Sequence, residues 1–535
     1  MTFDAAVLGS GFAGSLTALL LRAIGRSVLL VERGAHPRFA IGESSSPLAN
    51  LLLESLGRRY GLDEVAALSS WGSWQRRHPK IACGLKRGFT FYGHRLGEPF
   101  GATPDRSDQL LVAASPEDEV ADTHWYRADF DHYLQRRARE AGAEYVDRAE
   151  VETVAFGSGG ATLEILDTRS GRRETRCARL VVDATGPASA LHRALGLGSS
   201  SASFPGLPAA EGLYTHFTDV RRVDEMDAFR SGERPPYSPD DAALHHVFPG
   251  GWIWVLRFNN GVTSAGVSAA PALARALRLE EGAPAWDRLL ERLPTVRDQF
   301  AGARAIRPFV HRPRLPFRAA RAAGPGWTLL PSAAAFVDPL LSTGFPLTLL
   351  GIERLVGAVE RHGVGEPLDA ALARDGARTL AEADTAALLV ASLFARFHDF
   401  PVFAALTHLY FAAASYAEAA RRLGRPERAG AFLSGDLPSF GEALRACCAS
   451  ALDPSREPRE ELLARIRRAI EPLDVIGLSD AGRRNWYPVS AADLRACAGK
   501  LGASPAEIEE LLAAMSRPPD AVGSSATAAS ASCSS

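Results

Sequence analysis

Gly9-Ser10-Gly11-Phe12-Ala13-Gly14 constrains this chain more than any other stretch. It follows an apolar run, Phe3 to Leu8, that reads as a buried strand, and it opens a helical run to about Ile24. A second strand, Ser27 to Val31, ends on Glu32, 18 residues past the last glycine. In such a strand–turn–helix–strand unit, Gly9 allows the tight turn and Gly11 admits a pyrophosphate to the backbone. Gly14 lets helix pack on strand, and Glu32 can hold a ribose hydroxyl. The unit predicts an α/β fold with a doubly wound sheet that binds a dinucleotide.

The 535 residues exceed one core, so two or three domains are expected. A formal charge of −2 gives no basic surface for nucleic acid. The six cysteines have no metal-ligand spacing, so no metal is expected, and their sparse use suits a reducing cytoplasm. The chain opens directly into a strand, without a signal peptide. No membrane span is expected: the longest apolar stretch, Ala386 to Ala414, is interrupted by Arg396, His398, Asp399 and Pro401 and reads as a buried helical hairpin.

Further along, His36 to Pro47 reads as a loop of small residues running into a helix. Gly84 to Tyr92 reads as one strand with Lys86, Gly88, Thr90 and Tyr92 on the more polar face. Leu96 to Val120, rich in Gly, Pro and Asp, reads as a long loop. A helix is expected after Trp125, through about Ala141, and Arg179 to Gly186 is an apolar strand ending in an acid–Gly turn. Trp252 and Trp254, two apart in a strand, face the same way. Phe336 to Pro346 leads into a helix that reaches about His362 and stops at Gly363. Ser342 or Thr343 can cap that helix, and the N–H groups of Thr343, Gly344 and Phe345 make its start an anion site. Residues 364–516 are helix-rich, and residues 518–535 are Ser/Ala-rich and low in complexity.

Together these stretches resemble the flavin-dependent halogenases, within the p-hydroxybenzoate-hydroxylase-like flavoproteins. The most specific part of the likeness is the F-x-x-P-x-S-x-G spacing of Phe336, Pro339, Ser342 and Gly344. Residues 381–416 and Arg483 to Tyr487 are similar to the chloramphenicol-halogenase-like subgroup. The resemblance implies FAD, used in its reduced form, with O2 and chloride or bromide giving hypohalous acid. It implies FAD contacts from Gly9, Gly11, Ala13, Gly14, Glu32, Arg38, Ile41, Gly42, Glu43, Arg127 and Phe345. Thr343 and Gly344 would hold the halide, Lys86 would capture or orient the oxidant, and Trp252 and Trp254 would lie on the substrate side. A separate flavin reductase is the implied partner.

Three departures shape the expectation. The family's W-x-W-x-I-P becomes Trp252-Ile253-Trp254-Val255-Leu256-Arg257, which keeps a flavin monooxygenase or dehydrogenase open as the alternative. Pro331-Ser332 stands where related flavoproteins carry Gly-Asp. Leu341 stands where tryptophan halogenases carry Glu, so a phenol, pyrrole or acyl substrate, free or carrier-bound, is expected rather than tryptophan. The expected organisation is an FAD domain from 1–200 and 320–375, a largely antiparallel substrate-region sheet at 201–319, a helical region at 376–516 and a disordered tail at 517–535.

Overall fold

The computed structural model describes residues 2–197 and 204–516, so the expected tail at 517–535 lies outside the described residues. Strands Thr2–Leu8, Val28–Val31, Arg173–Asp183, Trp327–Leu329 and Glu144–Val146 form the parallel part of an eight-stranded sheet. Both faces of Val28–Val31 are buried, which its unbroken apolar run requires. Helix Phe12–Ala23 covers one face, between helices Arg127–Glu140 and Gly344–His362. This close approach needs a bare backbone: a Cβ on Gly14 would sit 1.9 Å from the Gly9 carbonyl oxygen.

The second sheet has nine strands, centred on Glu211–Thr218, Thr263–Ala269, Gly251–Arg257 and Ala243–Phe248, all antiparallel. Its alternation is clean. Ile253 and Val255 pack with helices Pro271–Leu277 and Ala283–Glu291 on one side; Trp252, Trp254 and Leu256 join the core on the other.

This sheet does not respect the expected boundary at residue 200. Gly88–Gly93 pairs parallel with Ala243–Phe248, and Gln109–Ala113 pairs with Gly88–Gly93. The latter strand lies inside the expected loop, where Asp105 to Asp108 and Ser115-Pro116 on its flanks mask five strand residues. Trp486–Tyr487 extends the same edge from the far end of the chain. Nor does the helical region begin at 376, because helix Glu366–Ala395 runs across that boundary. With Phe400–Arg422, capped by Asp399, it forms the expected hairpin. Phe400–Arg422 is long and apolar enough to cross a membrane but is mostly buried in the protein. It lays Phe403 and Phe411 edge-on against Phe91 and Phe89.

The expected single strand through Lys86 is two. Cys83–Lys86 pairs with Asp122–Trp125 in a separate ribbon, and the chain breaks at Arg87 before Gly88–Gly93. The ribbon is held close to Gly251–Arg257: a Cβ on Gly84 would meet the Arg257 carbonyl oxygen at 1.9 Å. Gly84→Ala is therefore expected to destabilise the protein by about 1–3 kcal/mol, read from chemical denaturation.

Candidate active site

Two guanidinium groups converge on the glycine turn. A Cβ on Gly11 would lie 3.4 Å from an Arg38 Nη and 3.6 Å from an Arg127 Nη. Arg127 is fixed by Asp131, donating from Nε to Oδ1 (2.7 Å) and from Nη2 to Oδ2 (2.8 Å). It also donates to the carbonyls of Ile41 (3.1 Å) and Gly42 (2.9 Å), which ties the 41–43 loop to the turn. Asp131 was not anticipated, although an Arg and an Asp four apart on a helix is a readable pair. Glu32 accepts from Ser10 N–H (2.8 Å), Ser10 O–H (3.0 Å) and Gly34 N–H (2.8 Å). Burial pushes its carboxyl up, but Arg38 and these donors outweigh burial and hold it below the usual range.

These residues fit FAD. Helix Phe12–Ala23 begins at Gly11 with no side-chain cap, so its first N–H groups are free for phosphate oxygens. Ala13 is buried in its first turn. Arg38 Nε is buried without a partner. Glu43 bonds His216 Nε2 through Oε1 (3.0 Å) and leaves Oε2 buried and unpartnered.

The second helix start differs from expectation in one respect. Neither Ser342 nor Thr343 caps Gly344–His362, because Thr343 already has helical backbone angles (φ −68°, ψ −22°) and a capping side chain needs an extended residue. Leu341 and Ser342 adopt left-handed φ values of 63° and 54°, which turn the chain sharply into the helix. Space above Gly344 is open: a Cβ there meets nothing within 4 Å. The Phe345 ring points into the core instead, stacked on Trp125 at 4.3 Å, so only its backbone faces the helix start.

Asp338 anchors this loop. It is buried and accepts from Trp252 Nε1 (3.0 Å), Ser268 Oγ (2.6 Å) and Leu340 N (2.9 Å). Trp252 is thus tied to the loop through one carboxyl, a link not foreseen from sequence, while Trp254 donates to Ser264 Oγ (3.4 Å). Trp252 and Trp254 do share a face, with ring centroids 5.6 Å apart. From Trp252 an aromatic row leads on to His245 (5.2 Å) and then Phe89 (6.2 Å). At its end the Lys86 ammonium sits 3.7 Å from the centre of the Phe89 ring.

Lys86 is completely buried, and the break at Arg87 turns it from the expected more polar face toward Phe89. It donates to Ser44 Oγ (2.9 Å) and to the Ser45 carbonyl. Burial pushes it well below the usual lysine range. Phe89 also lines a cavity that opens to the surface. Tyr410, Phe411, Tyr487 and the Glu418–Arg422 ion pair help to line it. Tyr410, Phe411 and Tyr487 fall in the two stretches similar to the chloramphenicol-halogenase-like subgroup, but no spacing marked them as a wall.

A profile of the FAD dependent oxidoreductase family matches residues 4–338. The chain belongs to that family. A tetracycline 7-halogenase of Kitasatospora aureofaciens is 28% identical, spanning 96% of this chain and 95% of its own. Monodechloroaminopyrrolnitrin halogenase PrnC of Pseudomonas fluorescens is 30% identical over 66% of this chain and 60% of its own. The crystal structure of halogenase PltM in complex with phloroglucinol and FAD superposes with a TM-score of 0.79 at 25% identity, covering 90% of this chain and 99% of that one. Within the FAD-dependent oxidoreductases, then, the chain is a flavin-dependent halogenase.

Burial raises the Asp338 carboxyl to about 6 despite its three donors. Its folded value lies above its unfolded one, so its stabilising contribution is present below pH 4 and lost as pH rises through 6. Asn at 338 can keep all three bonds, with Ser268 turning to accept. Between pH 4 and 7 the wild type should lose about 2 kcal/mol of stability that Asp338→Asn does not, measured by denaturation at each pH.

Proposed function

We propose that Lys86 holds hypohalous acid against a hydroxylated aromatic small molecule seated in the cavity beyond Phe89. The observation that carries this reading is a fully buried lysine at the end of an aromatic row that starts at the Phe336–Pro346 loop. Bound reduced FAD, with O2 and a halide, supplies the oxidant. Gly11, Arg38 and Arg127 would hold its pyrophosphate, and Glu32 and Glu43 its donor groups. Thr343 and Gly344 would offer N–H groups to the halide at the helix start, in the open space above Gly344. Trp252 and Trp254, both buried, would stand between that halide and Lys86 and keep bulky acceptors off the flavin side.

At Lys86 the ammonium can donate to the oxygen of the oxidant and so polarise the oxygen–halogen bond. The cavity wall is mostly aromatic and aliphatic, which suits a ring system. Two relatives point the same way: one is named for tetracycline and one holds phloroglucinol, both bearing a hydroxylated aromatic ring. Leu341 offers no carboxylate to an indole. We infer that a separate reductase supplies reduced FAD, because no second G-x-G-x-x-G stands in the chain for a nicotinamide cofactor. A reducing cytoplasm suits the five described cysteines, all of them free.

The test pairs wild type with Lys86→Ala, each given FAD, an added reductase, chloride or bromide, and phenols either free or loaded on a carrier protein. Mass spectrometry should show the halogen isotope pattern on free phenols with wild type. It should show a drop of about 10²-fold or more with Lys86→Ala, while the bound FAD absorbance is unchanged. Halogenation at full rate by Lys86→Ala would sink the role given to the lysine. Product only from carrier-loaded phenol would transfer the substrate reading to tethered acceptors.

A further inference from the structure

A buried lysine needs a counter-charge, and the fold sets one opposite. In the ribbon formed by Cys83–Lys86 and Asp122–Trp125, Lys86 pairs directly with Asp122. Directly opposed residues of an antiparallel pair share a face, with Cβ atoms about 5 Å apart. Asp122 is 7% exposed. Its Oδ1 accepts from Asn50 Nδ2 at 2.9 Å, and its Oδ2 is buried with no partner.

Among the described residues, no other group near Lys86 supplies that charge. Burial, together with the charge on Lys86 itself, pushes His124 far down, and burial pushes His245 to about 3, so both are neutral near pH 7. Burial pushes the Tyr410 hydroxyl up, out of play. Glu418 and Arg422, on the helix above, pair with each other at 2.8 Å. Among the described residues, the charged neighbour that favours the ammonium of Lys86 is Asp122. Reciprocally, burial raises the Asp122 carboxyl, and Lys86 is the largest influence opposing that rise.

We propose that Asp122 is the positioning residue of Lys86. Its carboxylate keeps the buried lysine an ammonium, and its free Oδ2 receives the lysine's proton when Lys86 acts as an amine. The proton leaves Nζ and arrives at Oδ2, so ammonium plus carboxylate becomes amine plus carboxylic acid, and the corner stays neutral in both states. The two side chains make no direct ion pair, so a water-sized molecule between them would carry the transfer. The carboxylate that Leu341 displaces from the halide loop would thus have a counterpart on a different strand, acting on the lysine rather than on the acceptor ring. This rests on the reading of Lys86 as the lysine that handles the oxidant.

The chain has only three lysines, Lys80, Lys86 and Lys500. Holoenzyme labelled with lysine carrying ¹⁵N at Nζ therefore gives three side-chain signals, and Lys86→Arg assigns the one that matters. Asp122→Asn should lower the pH at which the Lys86 signal titrates by about one unit or more, because burial then acts unopposed. The limb of the halogenation pH profile that follows this titration should move down with it, and Asp122→Glu, which keeps the charge, should hold both near wild type. An unchanged Lys86 titration in Asp122→Asn would overturn the proposal, even with activity lost. Should Asp122→Asn not fold, Asn50→Ala serves: with its donor gone the carboxyl ionises less readily, so the Lys86 titration should again fall, and no change would overturn the proposal. Because titration is read without turnover, this outcome is independent of whether Lys86→Ala abolishes halogenation.

Discussion

The site depends on one buried carboxyl accepting three hydrogen bonds from three parts of the chain. Asp338 joins Trp252 and Ser268 of the second sheet to the Leu340 amide at the turn into helix Gly344–His362. The parallel sheet carries the nucleotide turn, and the antiparallel sheet carries the row of rings toward Lys86. Without a fixed joint, the helix start and the ring row would have no defined relation. A carboxyl suits the task because its two oxygens accept from several directions at once, which a single carbonyl cannot match. Burial makes the joint costly when charged, and the raised Asp338 value records that cost.

The glycine turn was readable because its requirements are local. Gly9 must take φ +90°, and Gly14 must leave room for the Gly9 carbonyl; no other residue satisfies either. The helix stop at Gly363 (φ +72°), the hairpin before Phe400 and the shared face of Trp252 and Trp254 are local in the same sense. What was not readable depends on partners far away in sequence. Gln109–Ala113 becomes a strand because Gly88–Gly93 and Trp486–Tyr487 lie on either side of it. Lys86 is buried because the ribbon partner Asp122–Trp125 and the Phe89 ring enclose it, and a one-residue break at Arg87 reverses the face that strand alternation predicts. Capping at Thr343 failed for a third reason: two left-handed residues before it deliver the chain already in helical geometry.

Lys86 also shows how burial converts a common residue into a selective one. A lysine in water carries its charge over the whole physiological range and forms bonds with whatever passes. Enclosed by Ser44, Ser45 and an aromatic face, its donors are directed and its charge is conditional on the carboxyl opposite. The ribbon that holds it can lie so close to the main sheet only because residue 84 has no side chain.

The cavity walls carry a consequence of their own. Tyr410, Phe411 and Tyr487 all come from after residue 400, whereas every residue assigned to cofactor, halide or oxidant precedes residue 346. The reagent workshop is therefore written in the first part of the chain, whereas the fitting room is shared, with one wall from Ser46–Leu48, Phe89 and Val112–Ala114 and the other from beyond residue 400. The workshop is bound by stereochemistry that tolerates little change. The later wall is a packing surface carried mainly by helix Phe400–Arg422 and the short edge strand Trp486–Tyr487, mostly apolar apart from the Glu418–Arg422 pair. New acceptors can thus be tailored on the later wall while the cofactor turn and the helix start at Gly344 are left as they stand.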